Sequence, residues 1–245
     1  MKFASIRIVL IETSHPGNIG SAARAMKTMG LHKLYLVSPK SFPDQKAYEM
    51  AAGADDLLQQ VVVCDSLEEA LTGCQLVIAT SARPRGLSLP GLIPASCAEL
   101  VCSQPDETEV AIIFGRERTG LTNEELLRSH YHVNIPSNPV YSSLNLSQAV
   151  QIIAYELRMK LLSPAADVEL RHDRLATADE AEQFYTHLIE VLRAINFLKT
   201  TKPTRRLIQR IRRLFNRAGL EYMEVTILRG ILSHMQNALK YAKDR

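Results

Sequence analysis

Apolar residues in the first two-thirds of the chain fall in short unbroken runs rather than in alternation. Such runs occupy 6–11, 33–37, 61–64, 76–80, 110–114 and 132–135. A strand with one wet face alternates, whereas a strand covered on both faces reads as continuously apolar. Between the runs lie helix-like stretches such as 21–29, 67–71 and 123–129. The pattern predicts an α/β fold with a parallel sheet flanked by helices. A longer helix follows over 142–162, with Leu146, Ala149, Val150, Ile153, Leu157 and Leu161 at the three-to-four spacing of a buried face. From 163 to 179 the period is lost around Pro164 and mixed charges, which reads as a linker. Beyond it there are only helix-like runs, at 180–197, 204–217 and 221–242. The expected organisation is an α/β domain over 1–162, a linker over 163–179 and a small all-α domain over 180–245.

Composition narrows the class. The chain has 245 residues, 46% apolar, enough for one sizeable core and a smaller one. No apolar run reaches the roughly eighteen residues that span a bilayer, so no membrane association is expected. The four cysteines, Cys64, Cys74, Cys97 and Cys102, lack metal-ligand spacing. They read as buried thiols in a reducing, cytoplasmic compartment, and no metal is expected.

Charge changes the picture more. The net charge is only +3, yet positions 199–217 hold eight basic residues and no acid. Without those eight, 21 basic residues face 26 acidic ones, a net −5. A concentrated basic segment on an otherwise acidic chain points to a polyanionic partner. A helix over 204–217 places Leu207, Ile211, Leu214 and Ala218 on one face, with Arg206, Arg210, Arg213 and Arg217 on the neighbouring one. Such a face suits backbone phosphates and carries salt dependence rather than base readout.

The candidate chemistry sits in three stretches, each following an apolar run: His15-Pro16-Gly17-Asn18-Ile19-Gly20-Ser21-Ala22-Ala23-Arg24, Phe114-Gly115-Arg116-Glu117-Arg118-Thr119-Gly120-Leu121, and Ile135-Pro136 leading to Tyr141-Ser142-Ser143-Leu144-Asn145-Leu146. Binding loops of α/β proteins lie at this strand-to-helix junction, where backbone N–H groups are free. The glycine spacing excludes a Gly-x-Gly-x-x-Gly dinucleotide turn, and no phosphate-binding loop of the Gly-x-x-x-x-Gly-Lys-Ser/Thr kind occurs. Isolated, Gly115 and Gly120 would read as turn glycines. His15, beside Pro16, reads as a capping residue rather than a general base.

In order and spacing these stretches resemble the three motifs of the SPOUT RNA methyltransferases. Thr80-Ser81-Ala82-Arg83 and Gly120-Leu121-Thr122-Asn123-Glu124-Glu125 add to the likeness. The resemblance covers about 5–162 and is nearest to members that methylate a ribose 2′-hydroxyl of cytidine or uridine at position 32 of tRNA. It implies a deep trefoil knot at the end of the α/β domain, which periodicity cannot show. It also implies S-adenosyl-L-methionine as cofactor, held by Thr80, Ser81, Ala82, Gly115, Ile135, Ser143, Leu144 and Asn145. Arg24, at the start of the helix after the first strand, becomes the catalytic cation. Asn18 would fix the motif-one loop and Ser143 would orient the hydroxyl or Arg24. Arg83, Arg85 and Arg116 become phosphate contacts, and the last knot helix implies a homodimer built on 141–162. tRNA, not DNA, is the expected partner. A ribosomal RNA ribose methyltransferase and a catalytically silent RNA-binding protein remain alternatives, and a nucleotide-binding oxidoreductase a weaker third.

Overall fold

Seven strands run parallel in one sheet: β1 (Ile6–Ile11), β2 (Lys33–Val37), β3 (Val62–Cys64), β4 (Leu76–Thr80), β5 (Gly91–Leu92), β6 (Val110–Phe114) and β7 (Tyr131–Val133). The computed structural model describes residues 2–81, 89–162, 173–199 and 204–243. Spatial order in the sheet is β3-β2-β1-β6-β4-β7-β5. Ile112 of β6 is opposite Ile8 on one side and Ile78 on the other, so the most apolar strands occupy the centre. Among the described residues the α-helices are α1 (Pro16–Met29), α2 (Gln45–Ala51), α3 (Asp55–Gln59), α4 (Leu67–Leu71), α5 (Pro94–Ser103), α6 (Asn123–Leu126), α7 (Leu146–Leu162), α8 (Ala178–Ala194), α9 (Arg205–Ala218) and α10 (Tyr222–Lys243).

Both faces of the sheet are covered, as the unbroken runs predict. Ile6, Ile8, Leu10 and Ile112 point into a core closed by α1, α2, α5 and α7. Val9, Ile11, Val77 and Ile113 point into a second core with Leu67, Leu71, Leu121 and Leu126. Cys74 and Cys97 are buried here, and desolvation pushes their thiols up to about 12, which leaves them unreactive. Gly20 lies inside α1, and a Cβ there would stand 1.9 Å from the Ala47 carbonyl oxygen of α2. Its smallness therefore serves helix-to-helix approach rather than a ligand loop.

Sheet order places the site. β1, β6, β4 and β7 are consecutive neighbours, so the segments leaving their C-terminal ends converge on one edge. These are the three motif stretches and Thr80-Ser81. The helix expected from 142 begins instead at Leu146, because Asn145 caps it: its Oδ1 accepts from the Ser147 N–H at 2.9 Å.

The C-terminal helices share a core of Phe184, Tyr185, Val191, Val225 and Leu232, with the Phe184 and Phe215 rings edge-on at 4.9 Å. Of the stretch read as a linker, 163–172 lies outside the described residues. Leu175 and Ala176 are buried, and Thr177 forms a capping box with Glu180 that starts α8 two residues early. The bundle is fastened to the sheet region by Asn216. Its buried Nδ2 donates to the Leu127 carbonyl at 2.9 Å, and its Oδ1 accepts from Tyr185 Oη at 2.6 Å.

Candidate active site

The motif-two loop leaves β6 at Phe114 and closes at once on itself. A Cβ on Gly115 would lie 2.3 Å from the Gly120 carbonyl carbon and 2.4 Å from the Leu121 nitrogen. Only glycine permits that approach. The Gly120 N–H then donates to the Arg116 carbonyl at 2.9 Å, and Gly120 itself has φ +66°. Thr122 and Glu125 form a capping box that starts α6.

Arg116, expected to contact RNA, is engaged within the protein. Its guanidinium is half-buried and faces inward, paired with Glu12 and with both oxygens of Glu125, the latter at 3.0 Å. These hydrogen bonds raise its pKa further and hold the Glu12 carboxyl below its ordinary value. Glu12 is non-glycine at φ +45°, a conformation that has to be held in place, and this pair holds it.

Glu117, a residue given no role from sequence, ties the motifs together. Its carboxylate accepts from the Ser14 and His15 N–H groups at 3.1 and 3.2 Å and from Asn18 Nδ2 at 3.0 Å. Burial disfavours its charge, but the bonds from Asn18, Ser14 and His15 outweigh burial and hold its carboxyl below the ordinary 4.5. Asn18 Oδ1 in turn accepts from Asn145 Nδ2 at 2.9 Å. One relay, Glu117–Asn18–Asn145, thus joins motifs two, one and three. His15 stands at the helix N-cap but makes no side-chain cap bond, so its contribution is its backbone N–H to Glu117. The signal for Glu117 was an acid held close to the unpaired N–H groups before a helix, legible only once the segments are brought together.

Beside this relay lies a cavity of about 450 Å³, within the range of small-molecule sites. Thr80, Ser81, Gly115, Ile135, Ser143 and Leu144 all line it, with Phe114, Val133, Leu146 and Ala149 supplying apolar surface. Its polar rim is fixed. Thr80 Oγ1 donates to the Ile113 carbonyl at 3.0 Å, Ser81 N–H to Val133 at 3.0 Å, and Asn134 Nδ2 to the Ser81 carbonyl at 2.8 Å. Asn145 is not in this lining but in a neighbouring cleft with Asn18, Ser21 and Gln148. Ala82, Arg83 and Arg85 lie outside the described residues.

Arg24 is displaced from its expected place. Because α1 starts at Pro16, Arg24 sits on the third turn rather than at the helix start, exposed, one turn beyond Ser21. It does not line the cavity of its own chain. On α9, Arg206, Arg210 and Arg217 are exposed and Arg213 is partly covered. The face with Leu207 and Leu214 is not buried: these are 37% and 55% exposed, whereas Asn216 of α9 is buried. Among the described residues no cluster of His, Cys, Asp and Glu is placed to hold a metal, and no helix is long and apolar enough to cross a membrane.

A parallel sheet whose adjacent C-terminal strand ends carry interlocked loops around one cavity defines a cofactor-binding α/β protein. Comparison with known proteins makes this specific. The model of the SpoU rRNA methylase family matches residues 5–155, and that of the tRNA methyltransferase TrmJ C-terminal domain matches 179–244. The chain belongs to the SpoU methylase family, in its TrmJ-type group. It is 51% identical to a protein of Photorhabdus laumondii named tRNA (cytidine/uridine-2'-O-)-methyltransferase TrmJ, over 98% of both chains. The protein of that name from Pectobacterium atrosepticum is 50% identical over 95% of this chain and 97% of its own. The crystal structure of TrmJ from Zymomonas (Z. mobilis ZM4) superposes with a TM-score of 0.84 at 34% identity, covering 95% of this chain and all of that one.

Proposed function

We propose that this chain is an S-adenosylmethionine-dependent tRNA methyltransferase that modifies the ribose 2′-hydroxyl of cytidine or uridine at position 32, acting as a cytoplasmic homodimer. The observation that carries the reading is the 450 Å³ cavity, lined by six of the eight residues expected to hold the cofactor and bordered by the Glu117–Asn18–Asn145 relay. The cavity suits an adenosine. Ile135, Leu144 and Ala149 offer apolar surface to a ring, and the loop backbone at Gly115 lies at the cavity wall to meet its edge. When bound, S-adenosylmethionine supplies a methyl group on a sulfonium. Asn18 and Asn145 hold motifs one and three in register, so Ser143 stays at the cavity wall where the acceptor hydroxyl must come. In the transfer the carbon–sulfur bond would break as the bond to the 2′-oxygen forms, the thioether leaving and the hydroxyl proton passing to water, and a nearby fixed cation would stabilise the charge that develops.

Arg24 fits that cation as a permanently charged guanidinium, an anchor for phosphate and oxyanion rather than a base. Since it lies outside its own cavity, the role requires a second copy to present it. An interface over 141–162 suits this. On α7 the residues Tyr155, Met159 and Leu162 form an outward apolar stripe, and Tyr141 just before it is 79% exposed. In this reading the path from β6 to α7 is the trefoil knot. Arg206, Arg210, Arg213 and Arg217, with Arg83 and Arg85, meet the tRNA backbone.

The test is methyl transfer from labelled S-adenosylmethionine to tRNA transcripts, with the modified nucleotide mapped and Arg24→Ala alongside. A 2′-O-methyl group at position 32, lost in the variant while cofactor still binds, is the expected result. Transfer to ribosomal RNA alone, or cofactor binding with no transfer, overturns it.

A further inference from the structure

The cavity of the active site does not end at the motif-two loop. Its outer wall of Arg116, Thr119, Gly120 and Leu121 also forms the inner wall of a shallower cleft that runs on to Glu124 and Arg205. A third cleft shares Glu124 and Arg205 with the second and continues between α6 and α9 to Arg128, Gln209 and Arg212. The shared lining residues set the three clefts in a row, from the methyl-donor cavity to the basic helix. Their far side is held in place, because Asn216 of α9 donates to the Leu127 carbonyl at the end of α6.

The cations along these clefts are not equivalent. Arg128 and Arg212 pair with Glu68 and Glu182, and Arg212 also stacks 4.3 Å above the Tyr185 ring, so both are spent on fastening the bundle. Arg205 has a different setting. Among the described residues its ion pair is with Glu124, and the two side chains are 72% and 70% exposed. Ion pairs so open to water add little to stability. This one nevertheless stands where the second and third clefts meet. A guanidinium that accepts a carboxylate also accepts a phosphate, with similar geometry.

We propose that the row of clefts reaching between α6 and α9 is the track of the substrate RNA backbone into the active site, and that Glu124 is a place-holder there. Its carboxylate occupies Arg205 in the free protein and gives way to a phosphate when RNA enters. The pairing engages Nη2 of Arg205, and the carboxylate beside it repels an incoming phosphate. The inference rests on the tRNA methyltransferase reading and adds the route of the RNA and a residue that opposes its entry.

The test uses the full chain and a tRNA transcript with cytidine or uridine at position 32, titrated over a salt series. Glu124→Gln, Arg205→Ala and the exchange variant Glu124→Arg/Arg205→Glu are compared with the wild type, each with a thermal melt and a cofactor titration. Glu124→Gln is expected to tighten tRNA binding several-fold at an unchanged melting temperature. Arg205→Ala weakens it about tenfold and lowers the log–log salt slope by about one. The exchange variant keeps an ion pair and its stability but does not recover tRNA affinity. Unchanged or weaker binding by Glu124→Gln, or wild-type affinity in the exchange variant, makes the pair structural and overturns the track. Wild-type methyl transfer in the same preparation separates the two levels. Transfer with unmoved affinities sinks the track alone, whereas absence of tRNA binding and of transfer sinks the underlying reading and the track with it.

Discussion

The two regions of this molecule use charge in opposite ways. At the sheet edge Glu117 and Arg116 are partnered. Glu117 accepts three hydrogen bonds, and Arg116 is shared between Glu12 and Glu125. On α9, Arg206, Arg210 and Arg217 extend from an exposed surface instead. Groups locked by neighbours lose no order when a ligand arrives, which favours exact placement of reacting atoms. Cations left to solvent hold counterions, and release of those ions favours binding a polyanion. In the proposed function, placement chemistry and polyelectrolyte docking then fall on different parts of one chain, joined through α6 and Asn216.

The largest expected effect breaks the ordered side. Gly115→Ala forces a methyl to within 2.3 Å of the Gly120 carbonyl carbon, so the motif-two loop must open. Overpacking of this kind costs about 1–3 kcal/mol, or roughly ten- to a hundredfold in cofactor affinity if it all falls on the loop. Calorimetry with S-adenosylmethionine measures it, and wild-type affinity in the variant would show that the loop does not shape the cavity.

Glu117 is the next lever, and it carries a pH signature. Its folded pKa is lowered, so its contribution is present above the ordinary 4.5 and is lost as pH falls through the folded value. Glu117→Gln should therefore melt below the wild type at pH 7, with the gap closing as pH falls below the ordinary 4.5 and through the lowered folded value. Glu12 and Glu180 are shifted the same way, but they are common to both proteins and cancel in the difference. A gap constant from pH 7 to pH 3.5 would mean that the relay does not depend on the charge.

On the other side of the comparison, Arg206→Glu/Arg210→Glu should weaken tRNA binding about tenfold or more at moderate salt, with the dependence on salt flattened by about two. Cofactor affinity should not move, because neither residue lines the cavity. A loss of cofactor binding would show the two regions to be less separable than their charges suggest.

How much of this was readable in the chain follows the same division. Strands β1, β2, β4 and β6 were legible to the residue because burial on both faces leaves an unbroken apolar run. β5, two residues including Gly91, has no length over which a period can show, and it forms only because β7 offers it an edge. Of the site, the loops were legible as motifs, and the cavity brings together Thr80, Ser81, Gly115, Ile135, Ser143 and Leu144. The partners were not. Glu117 meets Ser14, His15 and Asn18 across about a hundred residues of sequence, and Arg116 meets Glu12 across as many. Local pattern holds no record of such pairs, and it gave no sign that Arg116 would be engaged by two carboxylates.

The smallest expected effect tests where pattern misleads. Leu207, Ile211 and Leu214 have the spacing of a core-facing stripe, yet Leu214 is more than half exposed, while Phe184, on α8, is 1% exposed against Phe215. α9 is anchored instead through polar Asn216 and through Arg212 over Tyr185. Leu214→Ser should then change stability by no more than about 0.5 kcal/mol, whereas Phe184→Ala should cost about 3–5 kcal/mol. Chemical denaturation of the two variants checks both. A large loss for Leu214→Ser would mean that this face is covered in the assembled protein, and that the exposed helix carrying the arginines is itself part of an interface.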